Sequence, residues 1–320
     1  MLTVKKFGGS SLADANKLEH AAKTVLAAHD RGEATAVVVS AMGDETDRLI
    51  SLARRLQDAP SLRELDALMA TGEARSAPLL AIALNAAGAR AVSFAGWQGG
   101  IYTDSTHGDA RLELTFPGRI AAALHEGYIP VLTGFQGIDI HGDVTTLGRG
   151  GSDTSAVALA AALGADLCEI YTDVDGVYTA DPRLVPTARR HEVIDSSDML
   201  RLARAGSQVL HARSVELAIE KNVPLRVLAA AGGTGGTWVR PLKSENRPAF
   251  AGVTRDADGA FVTLVGRDCR SHTLPELAAM LTDAGVHVRG GRMGEGYASV
   301  RVDGEQLVYA MNKLHEYVFE

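Results

Sequence analysis

The chain has 320 residues, a formal net charge of −7, 46% hydrophobic and 22% charged residues. The acidic balance argues against a dedicated nucleic-acid binder, and the composition is that of a globular chain rather than a disordered one. No apolar run approaches the ~20 residues that span a bilayer, so no membrane association is expected.

Strand-like and helix-like segments alternate from the start. Leu2 to Phe7 reads as a strand that ends in Gly8-Gly9. Leu18, Ala21, Ala22, Val25 and Leu26 share one face of a helix over 14–29. Residues 35–40 (TAVVVS) form a run suited to a strand buried on both faces. A long helix is predicted over 61–87, with Gly72-Glu73 at its middle. Strands follow at 129–133, 167–172 and 224–229, with a helix over 152–163 whose N-cap candidates are Ser152 and Asp153. This order predicts an α/β fold: a three-layer αβα sandwich around a mainly parallel sheet.

Composition shifts near Ala229, where AAAGGTGGT reads as a linker followed by a polar stretch between Pro241 and Pro248. Beyond it, strands at 261–265, 286–289 and 297–302 and helices at 274–284 and 305–318 follow the order β-α-β-β-α of a small ferredoxin-like module. The expected domains are therefore residues 1–240 and 246–320. Cys168 and Cys269 lie far apart and form neither a disulfide framework nor a metal-type pair. With no secretory leader in view, a reduced cytoplasmic compartment is expected.

Glycine is the compositional outlier: its 34 copies exceed the usual ~7%. Two clusters precede helices, the first of them directly after a strand, where backbone N–H groups can turn toward an anion. The first is Lys6-Phe7-Gly8-Gly9-Ser10-Ser11, with Lys6 as a mobile charge beside the turn. It matches neither a Walker A loop nor G-x-G-x-x-G. The second is Gly148-Arg149-Gly150-Gly151-Ser152-Asp153. Arg149 suits a bidentate grip on a carboxylate or phosphate. Asp153 is placed to cap the helix or to organise a lysine or metal. A third stretch, Tyr171 to Arg183 (YTDVDGVYTADPR), follows a buried strand, where open α/β sheets bind ligands. Taken alone, Asp173 and Asp175 also suit simple turns.

In this order the three motifs resemble the aspartate kinases of the amino-acid-kinase superfamily. The resemblance extends to VVVSAMGDETD at 37–47, Thr71-Gly72-Glu73, Gly134-Phe135-Gln136-Gly137, LGRGGSDTSAVALAAAL at 147–163 and LHARSVE at 210–216. It covers roughly residues 1–240. It implies the amino-acid-kinase fold and ATP-dependent phosphorylation of the L-aspartate side chain to 4-phospho-L-aspartate. That reaction opens the route to lysine, threonine, methionine or a specialised product. Mg²⁺ would accompany ATP, and the chain would be a homo-oligomer, dimer or larger.

Roles carry over residue by residue. Lys6, Gly8, Gly9 and Ser10 match the segment that meets the ATP phosphates, and Ser40 a hydroxyl on the nucleotide side. Thr172, Asp173, Tyr178, Asp181 and Arg183 match the nucleotide-binding stretch. Asp44, Glu45, Thr46 and Glu73 match the amino-acid pocket, Glu73 holding the substrate ammonium. Arg149 would pair with a substrate carboxylate beside Gly150, Gly151 and Ser152, and Asp153 would orient the catalytic Lys6. No metal-ligating side chain is nominated. A carboxylate nucleophile is ionised at pH 7 and needs no general base, so the lack of a His–Asp or Ser–His pair is in keeping. His107, His141 and His211 are read as loop or packing residues.

Two departures from the family pattern stand out. Gln208 occupies a position that many members fill with lysine near the nucleotide. The tail resembles one ACT unit where the family usually carries two, and the fourth strand of that unit is not evident. Weak or absent feedback by lysine and threonine is the resulting expectation. Two other readings compete: a kinase for another acidic amino acid, and a catalytically silent regulatory subunit.

Overall fold

The computed structural model of the protein describes residues 1–320 apart from Thr234, Ala257 and Ser271. In chain order the elements are β1 (Leu2–Phe7), α1 (Ala15–Asp30), β2 (Ala34–Val39), α2 (Glu45–Leu56), α3 (Leu62–Ala86), β3 (Ala91–Phe94), β4 (Ile101–Thr103), β5 (Leu112–Thr115), α4 (Gly118–His125), β6 (Ile129–Thr133), β7 (Gln136–Ile138), β8 (Val144–Thr146), α5 (Gly151–Leu163) and β9 (Leu167–Thr172). They continue as β10 (Val193–Asp195), α6 (Ser196–Arg204), α7 (Ala212–Glu220), β11 (Leu225–Ala229), β12 (Thr237–Arg240), β13 (Gly252–Arg255), β14 (Phe261–Val265), α8 (Thr273–Asp283), β15 (Val288–Gly294), β16 (Tyr297–Val302) and α9 (Leu307–Phe319). Among the described residues no helix is long and apolar enough to cross a membrane.

The chain forms two compact units, Met1–Asp175 with Glu216–Thr234, and Gly176–Val215 with Gly235–Glu320. They divide the chain differently from the expected 1–240 and 246–320, because the excursion Gly176–Val215 packs with the C-terminal residues. Part of the expected linker, Thr234, lies outside the described residues. Its neighbour Gly235 does more than link: at φ +136°, a Cβ there would stand 2.4 Å from the Arg190 guanidinium.

In the first unit six strands run parallel in the order β11-β9-β1-β2-β6-β3. β2 and β6 are buried along almost their whole length, which explains their unbroken apolar runs. Strand alternation sends adjacent residues to opposite faces. Phe7, Val37, Val39, Val131 and Tyr171 join one core with α1 and α3. Phe7 and Tyr171 stack there at 4.7 Å. The same alternation separates the two lysines of β1. Lys5 is buried against Glu169, on the strand paired with its own, and Lys6 turns to the face that carries α5.

Ser61 caps the start of helix α3, its Oγ accepting from the Glu64 N–H. Mid-helix, a Cβ on Gly72 would stand 2.8 Å from the Ala41 side chain, so only glycine permits this approach to the loop after β2. A small second sheet, β5-β4-β7-β8, was not foreseen from sequence because its strands are short.

In the second unit β13-β14-β16-β15 form an antiparallel sheet backed by α8 and α9. With β14, β15 and β16 as the first three strands of a ferredoxin-like module, the fourth strand's place beside β14 is occupied. It is filled by β13, which precedes the module in sequence and which the sequence reading did not assign. The module therefore closes its sheet from its N-terminal side.

Candidate active site

The carboxyl ends of β1, β2 and β6 and the N-terminus of α5 converge on one region. Lys6 Nζ lies 2.6 Å from Asp153 Oδ1, and both residues are 8% exposed. An ion pair this buried is held by geometry: β1 aims the lysine at the first turn of α5, where the helix dipole also favours the aspartate. Gly8, whose N–H is bonded to the Tyr171 carbonyl, leaves room beside this amino group, since a Cβ there would stand 3.5 Å from Lys6 Nζ. A Cβ on Gly9 would stand 2.8 Å from the Ala41 carbonyl, and Gly43 N–H donates to the Gly9 carbonyl. The Gly-Gly turn thus seats the loop after β1 on the loop after β2.

Helix α5 begins at Gly151 behind Gly150, which is left-handed at φ 68°, and no side chain caps it. Asp153 is engaged with Lys6, and Gly150 stands at the N-cap position in place of the expected Ser152 or Asp153. Arg149 is exposed and, among the described residues, has no carboxylate partner. Gly134 lets Ser152 close in, because a Cβ there would stand 2.8 Å from the Ser152 side chain. The next residue, Phe135, sits at φ 69°, an uncommon conformation for an aromatic side chain. Its N–H donates to Ser155 Oγ and its carbonyl accepts from Leu147 N–H, which hold the turn against the start of α5.

Glu73 is 2% exposed on α3. Its Oε1 accepts from the Ala41 N–H at 2.8 Å, while its buried Oε2 has no partner among the described residues. Burial pushes its carboxyl from an ordinary 4.5 up to about 7, against the opposing pull of the Ala41 N–H and the Lys6 charge. Between those pH values the folded carboxyl keeps a proton that the unfolded chain has released, so raising the pH through this window destabilises the empty fold. Glu73→Gln should therefore be more stable than the parent at pH 8, by up to ~3 kcal/mol, with the gain shrinking towards pH 5. Equal thermal melting of the two proteins at pH 8 would contradict this.

The other nominated residues divide. Ser40 lies beside this region, its carbonyl accepting from Ser76 Oγ at 2.7 Å. Asp44 and Thr46 stand at the start of α2. Glu45 is held by Arg48 at 3.0 Å and Arg75 at 3.3 Å, so its charge is already matched. Thr172 donates to Asp173 at the end of β9. Ser10 lies in the short turn of 3-10 helix after Gly8. Tyr178, Asp181 and Arg183 belong to the second unit, where Arg183 grips Asp181 and holds its carboxyl below the usual range.

Sequence reasoning missed Asp66. Fully buried on α3, it accepts from Gly108 N–H, Thr146 N–H and Thr146 Oγ1, and it faces His107 Nδ1 at 3.0 Å. It ties the small sheet to α3. His107 joins this contact through Nδ1.

Residues 1–229 match the model of the amino acid kinase family. An aspartokinase of Corynebacterium efficiens is 45% identical over 291 residues, which are 90% of this chain and 69% of the relative. An aspartate kinase of Pseudomonas putida is 49% identical over 267 residues, 83% of this chain and 65% of the relative. The chain thus spans about two thirds of these relatives' length. Among solved structures, E. coli aspartokinase III in complex with aspartate and ADP matches with a TM-score of 0.88 at 23% identity, covering all of both chains. Aspartate kinase from Synechocystis matches with a TM-score of 0.70 at 29% identity, covering 99% of this chain and 69% of that one. The chain belongs to the amino acid kinase family, in its aspartokinase branch.

Proposed function

We propose that the protein transfers the terminal phosphoryl group of ATP to the side-chain carboxylate of L-aspartate, giving 4-phospho-L-aspartate and ADP. The observation that carries this reading is the buried Lys6–Asp153 pair beside Glu73, whose Oε2 has no partner among the described residues. The first suits a transferring phosphoryl group and the second an ammonium. The relatives' names supply the identity of the acidic substrate.

In the reaction an aspartate carboxylate oxygen bonds to the terminal phosphorus as the bridging P–O bond to ADP breaks. Two anions must meet, so the work is positioning and charge neutralisation. Lys6 meets charge developing on the phosphoryl oxygens, and Asp153 fixes its direction. Gly9 and the open end of α5 offer backbone N–H groups, while Gly8, its own N–H committed to Tyr171, keeps space clear beside Lys6. Glu73 takes the substrate ammonium, and Arg149 takes a substrate carboxylate through its planar fork. Thr172, Asp173, Tyr178, Asp181 and Arg183 are proposed to serve the nucleotide. Mg²⁺ bound with ATP would further neutralise the phosphates. The carboxylate nearest Lys6, that of Asp153, is already paired, as befits an ion held mainly by phosphate oxygens and water.

Purified protein given ATP, Mg²⁺, L-aspartate and hydroxylamine should accumulate aspartyl hydroxamate, and L-glutamate in place of aspartate should yield far less. A hydroxamate signal absent with both acids would overturn the reading, and a larger one with glutamate would reassign the substrate.

A further inference from the structure

Downstream of β9, Val177 to His191 closes on itself as a loop. His191 N–H donates to the Val177 carbonyl, Thr179 N–H donates to the Arg189 carbonyl, and Arg189 N–H donates back to Thr179 Oγ1. Inside the loop lie Asp181 and Arg183, and Tyr178 stands at its neck opposite Arg190. The base of the loop rests on one ring of the C-terminal module. His315, fully buried on α9, places Nε2 at 2.8 Å from Thr179 Oγ1 and Nδ1 at 3.2 Å from Thr187 Oγ1. One side chain therefore holds both arms of the loop. Thr179 Oγ1 already accepts the Arg189 N–H at 2.9 Å. Its own proton then suits His315 Nε2, and the ring's Nδ1–H suits Thr187. One turn earlier on α9, Asn312 donates to the Leu184 carbonyl at 2.9 Å, and Phe319 stacks on the imidazole at 4.7 Å. Ala180 and Val185 of the loop share the core of α9.

We propose that His315 is a positioning residue for nucleotide: by pinning Thr179 and Thr187, it sets the geometry of the loop that presents Tyr178, Asp181 and Arg183. The assignment rests on the nucleotide role proposed above for these three residues. It makes the affinity for ATP, and not that for aspartate, depend on the C-terminal module.

The test is His315→Leu, which keeps bulk but loses both contacts, alongside His315→Gln, which can reach one hydroxyl. His315→Leu should raise KM for ATP about tenfold, with kcat and KM for aspartate within about twofold of the parent. His315→Gln should recover most of the loss. Thr187→Val, which removes one contact at an exposed residue, should raise KM for ATP about threefold and decides the matter if His315→Leu does not fold. An unchanged KM for ATP in the folded variant would overturn the proposal. So would a fall in kcat together with equal rises in both KM values, the signature of general loosening. Calorimetric titration with ADP separates this claim from the proposed reaction. A parent protein that binds ADP but forms no hydroxamate fails as an aspartate kinase, and the ADP affinities of the parent and His315→Leu still decide the role of His315.

Discussion

Lys6→Met should lower kcat by ~10³-fold or more while moving KM for aspartate little. The reason lies in the timing of charge. The substrate carboxylate and ATP carry their charges in the ground state, whereas the transferring group spreads negative charge onto its outer oxygens only at the transition state. A buried ammonium aimed at that point stabilises the second more than the first, so kcat suffers. Asp153→Asn should cost less, ~10²-fold, because the lysine keeps its charge and loses only its direction. Lys6→Met also leaves the Asp153 carboxylate buried without a cation, which on its own costs about 3 kcal/mol of stability. The double variant removes that burden, so its melting temperature should exceed that of Lys6→Met while its rate stays equally low. Turnover within tenfold of the parent in a folded Lys6→Met protein would remove Lys6 from the chemistry.

Arg149→Ala should raise KM for aspartate by ~10²-fold or more with KM for ATP little changed. Its guanidinium is exposed, follows Gly148 and has no carboxylate partner among the described residues, so its charge is unspent until a ligand arrives. Arg149→Lys keeps the charge but loses the planar two-pronged grip, so it should recover only part of the affinity. Steady-state titration of both substrates distinguishes this from a general defect: equal rises in the two KM values would count against a carboxylate-specific role.

Much of the first unit was legible in the sequence because its signals are local. A buried parallel strand is largely apolar on both faces, so residues 129–133 announced themselves, as did 167–172 despite Glu169, and the structure places β6 and β9 there. The glycine clusters were legible for a related reason, since close backbone approach leaves glycine as the one residue that fits. Less visible were features that depend on distant partners. Nothing near Asp66 marks it as the acceptor for the backbone at Gly108 and Thr146. Glu45 reads as a free acid until α3 delivers Arg75 to it. Strand β13 was hidden because GVTR is short and its partner, β14, lies beyond a turn.

The interleaving of the two units has a consequence for biosynthesis. Ala180 and Val185 lie in one core with Val253, Leu264 and Leu314. During synthesis the excursion 176–215 emerges well before the strands and helix that cover it, so those apolar side chains must wait, exposed, until residues 252–319 have emerged. Sealing of that core is a late and non-local event, of the kind that slows folding. The ACT-like module is thus no cassette to be cut away or exchanged at the glycine run: a ribosome that stops there releases a chain with most of that core missing.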